Sequence, residues 1–473
     1  MSLSADDIGI LHNIVAPERL RTDHDSLAVY GRDWTRVFRP APAAVVFPST
    51  VEQVQQLVLR AQERGWALVP SGGRTGLSGG AVAERGEIVV SFERMNRILE
   101  FFPEDRMVRV EAGVVTQQLQ EYAEAQGLSY PVDFASAGSS QIGGNIGTNA
   151  GGIKVIHYGM TRDWVMGLKV VTGRGDILEL NGGMIKNATG YDLRHLFIGA
   201  EGTLGFVVEA TIALERAPRD LRVMVLGVPD FAAVMPLLQA FREQIELSAF
   251  EFFSELALQL VVERTGLPRP FAGSAPFYVL IEFEGEHAST VETALDLFSA
   301  ALEHGWVVDG VLSQSETQAE QLWRLREDIS ETLAPHTPYK NDISVIIRHV
   351  PAFIADIDAI VAREYPDLRV VWFGHIGDGN LHLNILKPAD QPIAQFVERC
   401  QRVNLRVFDV VRSYAGSISA EHGVGLTKKP YLEYTRSPAE IAYLRAIKAV
   451  FDPCNIINPG KIFDQLPESL GEN

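Results

Sequence analysis

Residues 370–386 read V-V-W-F-G-H-I-G-D-G-N-L-H-L-N-I-L and carry two histidines on either side of a turn signal. Asp378-Gly379 is a favoured two-residue hairpin loop, and the pairing it sets puts Gly377 against Asn380, Ile376 against Leu381 and His375 against His382. Opposed Cβ atoms lie roughly 5 Å apart, so both imidazoles can hold one metal ion. Asn380 and Asn384 alternate onto the same face. The plainer alternative is a stabilising histidine pair on a surface strand.

A second cluster lies in G-S-I-S-A-E-H-G-V-G, residues 416–425. Adjacent side chains of an extended segment point apart, so Glu421 can complete a two-histidine, one-carboxylate metal site while His422 serves as a base. Read without a metal, Glu421 and His422 are ordinary loop residues.

The elements that must position these groups are bounded by composition. A chain of 473 residues with 46% hydrophobic content can bury large cores and divides into two or three domains. The net charge of −18 opposes nucleic-acid and anionic-membrane surfaces. Cys400 and Cys454 give neither a disulfide framework nor a C-x-x-C motif, which suits a reducing compartment. With no run of eighteen apolar residues and no basic leader pattern, no membrane span is expected, and cytoplasmic location is the expectation.

Glycine-rich, β-patterned sequence fills residues 40–215, with strands expected at 44–47, 66–69, 87–91, 107–111, 168–172 and 206–213 and helices at 51–64 and 115–124. From 220 to 390 the rhythm becomes strand, helix, strand, three times over: 223–253, 277–312 and 343–386. That is an α+β domain with weak internal repetition. The tail after Gly425 is helical through 438–450 and ends in N-P-G-K-I-F, residues 458–463.

Two loops in the first region are nearly devoid of side-chain bulk. P-S-G-G-R-T-G-L-S-G-G, residues 70–80, follows a strand, and its small residues let backbone N–H groups converge on an anion such as a pyrophosphate. It is neither G-x-G-x-x-G nor a Walker A loop, which disfavours a nicotinamide Rossmann domain and a P-loop enzyme. The second, A-S-A-G-S-S-Q-I-G-G-N-I-G-T-N-A-G-G at 135–152, contains Ile142, Ile146 and amide side chains, unlike a solvated Gly/Ser tether. A large, flat, phosphate-bearing ligand accounts for both.

These loops, with K-N-A-T-G-Y-D-L-R-H-L-F-I-G-A-E-G-T-L-G at 186–205, resemble the flavin-binding loops of the vanillyl-alcohol-oxidase-type FAD enzymes. G-H-I-G-D-G-N-L-H and S-A-E-H-G-V-G downstream resemble those of their D-2-hydroxyacid dehydrogenase branch. The motifs follow one another in order along nearly the whole chain.

The resemblance implies an α+β protein: a split FAD-binding domain at 1–216, a substrate and metal domain with an antiparallel sheet at 217–425, and a helical C-terminal segment at 426–473 that returns to the flavin. FAD would contact Pro70, Ser71, Gly72, Gly73, Arg74, Thr75, Gly76, Leu77 and Ser78 in the first loop. In the second it would contact Ser136, Gly138, Ser139, Gly143, Gly144, Asn145, Gly147 and Thr148, and beyond them Gly202, Asn458 and Lys461. Relatives with a covalent flavin carry a histidine in the first loop; its absence here implies noncovalent FAD.

By the same resemblance His375, His382 and Glu421 are the metal ligands, zinc being the expected ion and manganese or cobalt the alternatives. His422 is the base, and hydride passes to flavin N5. Relatives place an arginine, a hydroxyl and a lysine in the region L-W-R-L-R-E-D-I-S-E-T-L-A-P-H-T-P-Y-K-N-D-I-S, residues 322–344. Here these are Arg326, Ser330 and Lys340, with Asn384 beside them, against the distal carboxylate of a substrate such as D-2-hydroxyglutarate. Arg326 and Ser330 would share a helical face at i, i+4. Read alone, this is a solvated helix whose arginines pair with Glu327, Asp328 or Glu331. D-malate, D-lactate and glycolate are rival substrates, and a non-redox flavin-dependent transferase is a rival activity. An electron-transfer flavoprotein or a quinone-linked route is the implied electron acceptor, and a homodimer is among the open assemblies.

Overall fold

The computed structural model describes residues 3–35 and 37–464. The chain divides into two compact units. One comprises 1–151, 160–217 and 421–473, and the other 152–159 and 218–420. The tail thus joins the first unit from residue 421, and the eight residues from the end of the second glycine loop, 152–159, belong to the second unit.

In the first unit, Ala44–Val46, Ile88–Ser91 and Leu68–Ser71 form a parallel trio, with Leu20–Arg21 added antiparallel at one edge. Their residues are almost wholly buried, as expected of strands covered on both faces. The helix Val51–Arg64 crosses between two of them. Thr50 caps it by accepting from the Gln53 amide, Gly65 ends it in the left-handed region, and Val54, Leu57, Val58 and Ala61 pack its apolar stripe inward. This connection delivers the strand Leu68–Ser71 directly into the glycine loop. On its other side the tail adds a short parallel bridge: Leu68 donates to Ile456 O at 2.7 Å and Asn458 donates to Leu68 O at 2.7 Å. A five-stranded antiparallel sheet, in the order Ile98–Phe102, Met107–Glu111, Gly205–Ala213, Val165–Thr172, Ile177–Leu180, completes this unit around its own core.

The second unit is built on one seven-stranded antiparallel sheet. Its order is Asp309–Leu312, Leu221–Val228, Phe277–Glu284, Leu247–Ser254, Val370–Gly374, Asn380–Ile385, Tyr339–Ser344. Each of the three expected strand–helix–strand stretches is present, with helices Val234–Gln244, Ala288–Glu303 and Val350–Glu364 between strands. The first two interleave as a βαββαβ arrangement. The helices Glu255–Thr265 and Glu316–Glu327 cover one face over Val223, Val225, Ala249, Phe253, Tyr278 and Leu280. Toward the strands 370–374, 380–385 and 339–344 that same face turns polar.

Two local expectations are corrected. The hairpin does not close through a two-residue turn: Phe373, not His375, lies opposite His382, and His375 to Gly379 form the loop. Gly377 donates to Phe250 O at 3.0 Å, and a Cβ on Gly379 would stand 2.1 Å from Val345 O, so the loop is fitted between two neighbouring backbones and opens wider than a tight turn. The helix carrying Arg326 ends at Glu327 and restarts at Ile329, leaving Arg326 buried and Ser330 exposed rather than on one continuous face.

Candidate flavin cleft and polar sheet face

In the first unit the two glycine loops face each other across a cleft. Its wall takes Pro70, Gly72, Gly73, Arg74, Thr75, Gly76 and Ser78 from one loop, Gly143, Gly144, Asn145, Gly147 and Thr148 from the other, and Gly202. Two glycines show why bulk is absent. A Cβ on Gly73 would stand 2.0 Å from Ser139 O, and Gly202, at φ +66°, would drive a Cβ to 2.6 Å from Pro70 Cγ. Ser136, Gly138 and Ser139 shape the turn behind the wall, with Ser139 and Ser140 both donating to Ser136 O, and Ser71 and Leu77 lie off the wall.

The cleft fits a large polar cofactor. Ser71 Oγ, next to the wall, and Gln141 Oε1, on it, are buried without a hydrogen-bond partner among the described residues. In front of Gly144, where any side chain would project, nothing stands within 4 Å.

Of the residues that hold the cleft, Asp33 was not singled out from sequence, and Glu201 falls within the flavin-loop motif at 186–205. Glu201 is buried on its wall, and its carboxylate accepts from the amides of Val424 at 2.7 Å and Gly425 at 2.8 Å. Burial pushes its pKa up, while those two amides oppose the shift. Asp33 accepts from Gly79 N at 2.7 Å and Thr35 Oγ1 at 2.6 Å, which fixes the first loop from behind. Asn458 Nδ2 donates to Gly80 O and Glu201 O at 2.9 and 2.8 Å, and Lys461 Nζ donates to Val82 O at 2.8 Å. The two tail residues therefore brace the loop through its backbone, and burial pulls the lysine's pKa down.

In the second unit, strand register gathers the polar groups. Lys340 pairs with Asn384, Asp342 with His382 and Ser344 with Asn380, so all six share one face. The rings of His375 and His382 stand edge to face at 5.3 Å between centroids, and their nitrogens come within 4.8 Å of each other. His375 Nδ1 lies 2.8 Å from Glu251 Oε1. Asn380 Nδ2 donates to Asp342 Oδ1 at 2.9 Å, and the same oxygen lies 3.8 Å from His382 Nδ1. Two imidazoles beside oriented carboxylates are a donor set suited to zinc or a similar divalent ion.

Among the described residues Arg326 pairs not with the acids of its own helix but with Glu251, while Arg324 reaches Asp328 at 3.1 Å. The Arg326 guanidinium lies over the Phe373 ring at 4.9 Å and 2.7 Å from Glu251 Oε2. Asn384 Nδ2 and Arg326 Nε are buried without a hydrogen-bond partner among the described residues. Lys340 is exposed, yet desolvation of the ammonium lowers its pKa, and no acid among the described residues offsets the shift.

Ser417 bridges to Ser344, and Ala420 donates to Asp342 O at 3.3 Å, so the segment leading into Glu421 runs along the sheet edge. Glu421 and His422 follow in a bent rather than an extended stretch. Their side chains do not diverge as expected: His422 Nε2 lies 3.6 Å from Glu421 Oε1, with Gly423 beyond in the left-handed region.

Residues 42–181 match the FAD binding domain family, and residues 217–462 match the family of FAD linked oxidases, C-terminal domain. The chain belongs to the FAD-linked oxidases. A protein of Stutzerimonas stutzeri (strain A1501) named D-2-hydroxyglutarate dehydrogenase is 63% identical to this FAD-linked oxidase over 453 residues, covering 96% of this chain and 98% of that one. One of the same name from Xanthomonas citri pv. viticola is 53% identical over 454 residues, covering 96% of each. The solved structure of p-cresol methylhydroxylase superposes with a TM-score of 0.77 over 98% of both chains at 16% identity, a likeness of fold. Among the described residues no helix of this oxidoreductase is long and apolar enough to cross a membrane.

Proposed function

We propose that this enzyme oxidises D-2-hydroxyglutarate to 2-oxoglutarate, with noncovalent FAD and a divalent cation, zinc by preference, at its site. When bound, FAD supplies a two-electron acceptor at N5 and the cation a Lewis acid toward the 2-hydroxycarboxylate. His375, His382 and Glu421 would hold the cation, and His422 would take the hydroxyl proton. Lys340, Arg326 and Asn384 would hold the distal carboxylate, while the two glycine loops, Asn458 and Lys461 keep the flavin cleft in shape.

The observation that carries this reading is the shared face of Lys340, Asn384 and His382, in which donors lacking an anionic partner among the described residues stand two strand positions from an imidazole. A diacid uses both ends of that row; a monocarboxylate leaves Lys340 and Asn384 unmatched. The name of the 63% identical relative agrees with this substrate. The test is turnover of purified protein with a dye acceptor on D-2-hydroxyglutarate, D-malate, D-lactate and L-2-hydroxyglutarate. The expected result is highest kcat/KM on the first. Preference for lactate would remove the diacid pocket from this account.

A further inference from the structure

We infer that Glu251 is a positioning residue for this reaction, a single buried carboxylate that orients both the histidine proposed to hold the cation and the arginine proposed to hold the substrate. The inference rests on the proposed roles of His375 and Arg326.

Glu251 interrupts an apolar strand. It stands between Phe250 and Phe252 in Leu247–Ser254, a central strand of the sheet, and is 1% exposed. Desolvating a carboxylate there is costly unless its partners are well placed. Register supplies them. Phe253 pairs with Phe373 and Phe252 with Gly374, and continuing that antiparallel count sets Glu251 against His375. The two meet at 2.8 Å between Oε1 and Nδ1.

Because a carboxylate only accepts, the Nδ1 proton points at Glu251, and Nε2 is left as the ring's lone-pair donor. That is the tautomer a metal ligand needs, with the ring turned so that its nitrogens come within 4.8 Å of those of His382. The other oxygen, Oε2, lies 2.7 Å from Arg326 Nη2, an ion pair whose two atoms do not meet in hydrogen-bond geometry, and the Phe373 ring supports the guanidinium from one side. Arg326 Nε makes no hydrogen bond among the described residues and remains a donor to offer.

A second buried acid on the same face is occupied differently. Glu282 lies diagonally across from Glu251, opposite Ala249. Its oxygens are taken by the Lys154 ammonium and by Trp323 Nε1 at 2.6 Å. Glu282 therefore serves as an internal comparison: a buried, ion-paired acid of the same sheet that touches neither His375 nor Arg326 in any contact described.

The test uses full-length protein with FAD content confirmed, stripped of metal by a chelator and titrated with zinc against a chromogenic competitor. Glu251→Gln should weaken zinc affinity about 10- to 100-fold and raise KM for D-2-hydroxyglutarate. Glu282→Gln should lower Tm while leaving zinc affinity at the wild-type value. Zinc affinity in Glu251→Gln equal to wild type would overturn the inference, as would an equal loss in Glu282→Gln, which would mark a general loosening of the sheet. Failure of the wild type to bind zinc or another divalent ion would overturn the metal reading itself, and the inference with it.

Discussion

Lys340 and Asn384 stand directly opposite one another on adjacent strands, an ammonium and a carboxamide on the same face as His382 and without an acid between them. An exposed lysine normally keeps an ordinary pKa. Desolvation lowers this one.

A charge-assisted hydrogen bond is worth about 1.5–3 kcal/mol, so Lys340→Ala should lower kcat/KM for D-2-hydroxyglutarate roughly ten- to a hundredfold and leave D-lactate turnover near its starting value. The pH dependence has a definite sign. A lysine with lowered pKa holds its charge below that value and loses it as pH rises through it. Efficiency on the diacid should therefore fall on the alkaline side, below the pH at which an ordinary lysine titrates, and Lys340→Arg should move the fall to higher pH. Steady-state pH profiles on both substrates check this; parallel falls on the two would assign the titration to another group.

Chelation should abolish turnover while flavin absorbance stays with the protein, because the imidazoles of His375 and His382 and the wall of the flavin cleft are separate sets of residues. Zinc added back should restore activity. Undiminished turnover in metal-free enzyme would remove the Lewis acid from the account.

His422→Ala should slow flavin reduction by roughly 10²- to 10⁴-fold with metal and flavin content unchanged, whereas His375→Ala should lose metal as well. Stopped-flow reduction together with metal analysis separates the two. Reduction at the wild-type rate in the first variant would rule out His422 as the base.

Flavin should be released into the supernatant on acid precipitation, since the cleft wall between Pro70 and Ser78 carries neither histidine nor cysteine. Flavin retained in the washed pellet would show a covalent bond and contradict that reading.

What the sequence made legible follows the range of the interactions involved. The helix at 51–64 was readable to the residue because its cap, its stripe and its terminal glycine are all local. The three strand–helix–strand stretches were readable from periodicity. The hairpin register was not, because Gly377 and Gly379 answer to Phe250 and Val345, which lie far away in sequence. Asp33 was missed for the same reason: it acts by accepting a backbone amide from a distant loop. Glu251 did leave a signal, an acid amid L-S-A-F-E-F-F-S, since a charge in a buried strand calls for a partner. The helix Ile393–Ser413 also left one, in Phe396, Cys400, Val403, Val407 and Val411 at helical spacing.

The central claim is that one chain carries electrons from a D-2-hydroxydiacid to its own flavin. Mixing the oxidised protein anaerobically with D-2-hydroxyglutarate and no added acceptor tests it most directly. The account predicts that the visible flavin absorbance bleaches in a single phase and that one 2-oxoglutarate forms for each flavin reduced. A flavin that stays oxidised with this substrate, in protein replete with zinc, would contradict it.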